Sequence, residues 1–176
     1  MKKSLITTIT LFTAVAVKSQ VAIGKQAVSN SSVSIEFASD ENRGLILPYV
    51  ENKGNILQEG TMIYDTTDYK VKYLKNNGQW VNLSEDDGTM ATIGTVDLSV
   101  QGTDKTENTK AKTTIGTPGA TNGIFVLEAL DKAMILPKVT SPHLNIIDPA
   151  PGMMVYDTVK KQLAVYNGKM WSFWKP

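Results

Sequence analysis

The chain reads as an all-β protein: two homologous, short-stranded meander modules behind a cleaved signal peptide. Three observations carry that expectation. Gly60-Thr61-Met62-Ile63-Tyr64-Asp65-Thr66 returns as Gly152-Met153-Met154-Val155-Tyr156-Asp157-Thr158, an offset of 92 from Tyr64 to Tyr156 and from Asp65 to Asp157. Such a period marks a reused structural unit. Apolar and polar residues alternate with the period of a strand in several segments. Asn77-Gly78 and Asn167-Gly168 close hairpins at matching places, because Asn-Gly tolerates the positive φ of a tight turn.

The N-terminus comes first. Met1-Lys2-Lys3 is a short positive region, residues 4–17 form an uncharged apolar run, and Ser19 is a small residue before a cut, so residues 1–19 read as a secretory signal. The run is shorter than the ~20 residues needed to cross a bilayer. The expected location is therefore outside the cytoplasm: secreted, periplasmic or at the outer cell surface, with no membrane span in the mature chain.

The first module is expected over residues 20–83. Val33, Ile35 and Phe37 alternate with Ser34 and Glu36, as in a strand with one wet face. Leu45-Ile46-Leu47 is a buried run stopped by Pro48, which cannot donate to a ladder. Asn55-Ile56-Leu57-Gln58 reads as a single helical turn. Thr61 to Asp65, the return strand with Val71 and Tyr73 alternating with Lys70 and Lys72, and Gln79 to Leu83 form the meander.

Residues 84–112 read as a linker with one strand, where Val96, Leu98 and Val100 alternate with Asp97 and Ser99. Thr92-Ile93-Gly94-Thr95 repeats as Thr114-Ile115-Gly116-Thr117, so this stretch reads as a truncated third module head. The second module covers residues 113–176. Met134-Ile135-Leu136-Pro137 answers Leu45-Ile46-Leu47-Pro48 at an offset of 89, and Trp171 answers Trp80. Insertions and deletions fall in turns, which tolerate them, while strand register persists.

Composition narrows the function classes. Of 176 residues 41% are hydrophobic and 20% charged, with a net charge of +1, so no field invites nucleic acid. The cysteine count of 0 excludes disulfides, thiol nucleophiles and a lipoprotein anchor. Phosphate-binding loops, dinucleotide fingerprints and nucleophile elbows do not occur. His143 is the single histidine and has no acid–base partner in sequence. An enzyme is not expected, and neither a cofactor nor a metal is called for.

Asp65 and Asp157, each before Thr at a strand end, fit Asx-turns. Glu85-Asp86-Asp87-Gly88 is closest to a calcium loop and is equally a solvated turn. Trp80, Trp171, Trp174, Phe173, Tyr73 and Tyr166 gather on the last strands of each meander. Aromatic rings there fill a small core or offer a platform for sugar rings. The candidate ligand-contact residues are Tyr166, Trp171 and Trp174, and the loops that differ between copies, 51–59 and 140–151, are where specificity is expected.

With the modules laid out, the heads Ile-Gly-Thr, the Leu-Pro strand, the Val-Tyr-Asp-Thr strand and the Tyr-Asn-Gly-x-x-Trp hairpin resemble those of exported tandem-repeat β proteins of Bacteroidetes-type bacteria. Here these are Thr114–Thr117, Ala133–Lys138, Pro149–Thr158 and Tyr166–Trp171. The heads also resemble repeats of phage tail-fibre-like proteins, which are β-rich and often trimeric. That resemblance implies a homo-oligomer, a trimer, and carries no functional residues across. Two readings stand from here: a non-catalytic exported structural or adhesion-type surface protein, fibre-like and oligomeric, or a glycan-binding module using the hairpin aromatics. Partners would be a surface glycan or protein.

Overall fold

β-Branched and aromatic residues at alternate positions, broken by glycine and proline every few residues, leave the chain little choice but short strands. The computed structural model describes residues 20–39, 42–85 and 111–175, and there strands dominate. The segment 1–19 expected to be a signal, the turn expected at 86–88 and the strand expected at 96–100 lie outside the described residues.

Two antiparallel meanders hold the two copies of the opening motif. In the first, β5 (Met62–Asp65), β6 (Lys70–Leu74) and β7 (Trp80–Asn82) pair in order, with β4 (Tyr49–Val50) added parallel to β5. In the second, β12 (Met153–Asp157), β13 (Gln162–Tyr166) and β14 (Trp171–Trp174) do the same, with β11 (Lys138–Val139) parallel to β12. The registers agree pair for pair: Tyr64 faces Val71 as Tyr156 faces Leu163, and Asp65 faces Lys70 as Asp157 faces Gln162. Turn geometry repeats as well. Tyr69 and Lys161 both close the first turn at positive φ, 58° and 53°, and Gly78 and Gly168 close the second at 75° and 100°.

The head strands are parallel, which alternation alone does not reveal, since it assigns faces and not partners. β1 (Val21–Ile23) pairs with β2 (Val33–Phe37), and β8 (Thr113–Gly116) pairs with β9 (Phe125–Glu128). β10 (Ala133–Ile135) then joins β2 to complete a three-stranded parallel sheet. Between the copies lies β3 (Leu45–Ile46), which leaves its own meander and pairs antiparallel with β12. Pro48 explains the split: it ends β3, and the chain restarts as β4 in another sheet. Both prolines keep the same role, with the Pro48 carbonyl accepting from Tyr64 N at 2.9 Å and the Pro137 carbonyl from Tyr156 N at 2.8 Å.

Two expectations about wet faces fail. Ser34 and Glu36 are buried along with Val33 and Ile35, because β1 and β10 flank β2 and residues 25–29 fold over it. Lys72, placed by alternation on a solvent face, is 8% exposed. The helical turn expected at 55–58 is also absent: residues 54–55 make a plain turn, and the one helix among the described residues is α1 (Pro142–Asn145), in the corresponding loop of the second copy.

The main core forms where equivalent faces of the two meanders meet. Tyr64 and Val71 of the first pack with Met154 and Val165 of the second, and Leu47 joins them from beside β3. A second cluster fills the far side of the second meander: Val139, Ile146, Met153, Val155 and Ala164, with Tyr166 and Trp171 at its rim. Gly152 is a close-approach point. Its φ is +77°, and a Cβ there would come 2.9 Å from the Tyr64 Cβ. Gly152→Ala is expected to cost about 2–3 kcal/mol, combining the left-handed penalty with a clash that buried backbone cannot relieve. Gly78→Ala, at φ +75° with nothing within 4 Å, should cost about 1 kcal/mol. Equal melting shifts for the two variants would show that the Tyr64 contact is not tight.

Candidate functional site

The aromatics singled out in the sequence sit on the last two strands of the second meander. Tyr166 and Trp171 face each other across β13 and β14, with ring centroids 5.2 Å apart. Both are half-buried against the second core. Burial, and then the neighbouring Asp148 carboxylate, push the Tyr166 phenol above its ordinary range. Trp174 stands opposite Leu163 on the other face, where its indole N–H donates to the Leu83 carbonyl, and 43% of it is exposed. Phe173 shares the Trp171 face and meets His143 edge-on at 5.6 Å. The three candidates are thus divided between two faces of one sheet, and each has a protein partner. Trp80, like Trp171, is half-buried rather than sealed in a core.

Asp65 and Asp157 are buried and each closes an Asx-turn: Thr67 N donates to Asp65 at 3.0 Å and Val159 N donates to Asp157 at 2.9 Å. Their neutralisation differs. Asp65 holds Lys53 at 2.5 Å and Lys72 at 2.7 Å, and Lys72 also reaches Asp68 at 2.5 Å. Burial by itself would raise the Asp65 carboxyl, but the hydrogen bonds from Lys53, Lys72 and Thr67 outweigh it and hold the group well below the usual carboxylate range. Burial works against the charge on Lys72 too, and Asp65 and Asp68 overcome it, so its ammonium titrates above the ordinary lysine range. Asp157 has no lysine ammonium among its hydrogen-bond donors. Burial is again opposed, here by the backbone N–H groups of Val159, Lys160 and Ser141 and by Gln162. Sequence spacing could not reveal the Lys53–Asp65–Lys72 cluster, because Lys53 arrives on a loop. In the head, Lys25 and then Ser29 N hold Glu36 down to about 2.

Each of these carboxylates is thus held by hydrogen bonds within the chain, Asp65 and Glu36 by lysines and Asp157 by backbone N–H groups and Gln162. Among the described residues no cluster of three metal-ligating side chains occurs, and no helix is long and apolar enough to cross a membrane.

The remaining candidates are apolar surfaces. The loop at 51–59 covers the outer face of the first meander and, with Thr61 and Ile63, encloses a cavity of about 340 Å³ beside Asn122–Ile124. The loop at 140–151 carries α1 and leaves Leu144 and Ile147 exposed. Ile46 on β3 and Ile124 and Phe125 at the start of β9 are also exposed. Water-facing apolar residues on strand edges are what an association surface requires.

Residues 114–175 match the family model described as phage tail like trimerisation region. No curated protein matches the chain, and no solved structure does. The matched stretch starts within β8 and includes the whole second meander, so it is the part of the chain that carries α1, the Tyr166–Trp171 pair and Trp174.

Proposed function

We propose that this chain is a non-catalytic, exported structural protein of fibre-like build that acts as a homotrimer, with adhesion at a cell surface as its role. One observation carries the reading: a trimerisation-region match falls on a β meander whose edges and neighbouring loops expose Leu144, Ile147, Phe125 and Trp174. Short strands stacked by repetition suit an extended, oligomeric build, in which neighbours supply the burial each unit lacks. The positive-then-apolar N-terminus supports export, and the absence of cysteine fits a chain that relies on packing and assembly. Glycan recognition has weaker support, since Tyr166 and Trp171 on one face and Trp174 on the other cannot form one stacking platform.

Light scattering on the purified mature chain tests the assembly. Three times the chain mass is expected over a wide concentration range. A monomer at all concentrations would remove the basis for the fibre reading.

A further inference from the structure

The contact between the two copies is one-directional, and it leaves unused halves at both ends of the chain. In the first copy, β3 pairs with the meander of the other copy, at the β12 edge, and among the described residues its remaining edge has no partner strand. In the second copy, the corresponding strand β10 pairs with a head strand, β2, and likewise keeps one free edge. Each of these strands therefore has one of two partners. β3 lacks a head strand and β10 lacks a meander. The missing partners are also present, with no strand on the corresponding edge among the described residues. Among the described residues β9 has a strand, β8, on one side only, and no strand pairs with β5 at Thr61–Met62, where β12 holds β3; Thr61 there bonds only to the Gln58 carbonyl and to β6. Burial follows the pairing. β2 is buried throughout Val33–Glu36, while Phe125 on β9 is 44% exposed and Ile46 on β3 is 50% exposed.

We infer that a second copy of this chain supplies all of these partners at once, head to tail. β10 of one chain adds to the Thr61–Met62 edge of β5 in the next, and β3 of that next chain adds to β9 of the first. The inference rests on the self-assembly reading above and specifies its contact. The intrachain pair Ile46–Met153 becomes Ile135 against Thr61 between chains. The intrachain seat of Tyr64 on Gly152 becomes Tyr156 on Gly60.

Three details fit. Tyr156 is half-buried where Tyr64 is sealed, and Gly60 has nothing within 4 Å of its would-be Cβ, with the same left-handed backbone as Gly152. Inside the chain Gly44 lies so close over β12 that a Cβ would come 2.3 Å from Met153 Cγ. Across chains the corresponding residues are Ala133 and Thr61, where the extra methyl meets a shorter side chain. The cavity beside Thr61 and Ile63 lies on the face that Gly44 closes in the second copy. Such a contact is heterologous, so it closes into a ring when the rotation per chain allows and otherwise grows as a filament.

Because the chain has no cysteine, introduced thiols report the contact cleanly. Chains carrying Thr61→Cys and chains carrying Ile135→Cys are co-expressed, mildly oxidised and run without reductant. A disulfide-linked pair is expected in the mixture and in neither variant alone, since the contact joins unlike edges. The Ile46→Cys/Met153→Cys double variant serves as the intrachain control and should cross-link without a change in mass, and circular dichroism checks that each variant is folded. Folded variants that cross-link the control but not the mixture would overturn the inference, as would Thr61→Cys linking to itself. Light scattering separates this failure from that of the trimer: three chain masses without the Thr61–Ile135 link leaves assembly standing and this contact refuted. As a second measure, Gly60→Ala should lower the assembled fraction at least tenfold more than Gly78→Ala, which has the same backbone strain and the same empty surroundings. Equal effects would count against the Tyr156 seat.

Discussion

Tyr64→Ala is expected to be among the most damaging single substitutions in the chain, lowering stability by about 3–5 kcal/mol, the usual range for removing a large buried aromatic. The residue is fully buried between the two meanders. Its ring lies 5.4 Å from that of Tyr49, and its hydroxyl donates to the Asn167 carbonyl at 2.7 Å. Burial, and to a lesser degree nearby Tyr49, push its phenol well above the usual tyrosine range, so it stays neutral and a donor at every ordinary pH. Tyr64→Phe isolates the hydroxyl. It keeps the ring, leaves the Asn167 carbonyl short of a donor, and should cost about 1–2 kcal/mol. Urea unfolding followed by near-ultraviolet circular dichroism, at one fixed chain concentration because assembly shifts the midpoint, measures both. Tyr156→Ala should act mainly on assembly, as its ring is only half covered by its own chain. If Tyr64→Ala and Tyr156→Ala cost the same in folding, the two meanders do not share a core through Tyr64.

The second large effect is at Asp65. Asp65→Ala leaves Lys72, itself buried, with Asp68 alone, and leaves Lys53 with no carboxylate among its close contacts. Removing one partner from a buried charge cluster costs about 3–5 kcal/mol, and the remaining Asp68 places this case near the lower end. Asp157→Ala strands backbone N–H groups but no charge, so about 2 kcal/mol is expected there. The cluster also sets a pH dependence. The folded-state pKa of Asp65 is depressed below its unfolded value of about 3.9, so its stabilisation is complete above that value and is lost as the pH falls toward the folded-state pKa. The melting temperature should therefore drop as the pH goes below about 4, with a shallower drop in Asp65→Asn. Part of the slope will persist in that variant, because Asp157, Glu36 and Glu128 are depressed as well. Lys72 acts at the other extreme. Its folded-state pKa is raised, so its contribution is present at neutral pH and is lost only as the pH climbs past the ordinary lysine range. An unchanged acid slope in Asp65→Asn would show that folding does not depress the Asp65 pKa.

The opening motif and its echo determined much by themselves. The period of two in Val71-Lys72-Tyr73, the match of Leu163 and Val165 to Val71 and Tyr73, and Asn-Gly at the second turn suffice to call two equivalent hairpins, because local backbone chemistry sets turn type and turn type sets register. Asp65 and Asp157 were legible as Asx-turns for the same reason: the carboxylate reaches an N–H only two residues on. What lay beyond the sequence is everything decided by partners distant in the chain. Alternation says that Ile35 and Glu36 face opposite ways, and only β1 and β10 on either side of β2, with Lys25 and Ser29 folded onto Glu36, bury them both. Lys72 looks like a solvent residue until Lys53 and Asp65 close over it. The Leu-Pro strands read alike in both copies, yet β3 joins a meander and β10 a head strand. A strand has two edges with the same hydrogen-bonding capacity, and nothing local chooses between them; that choice belongs to the tertiary structure, which among the described residues gives each of these strands a partner on one edge.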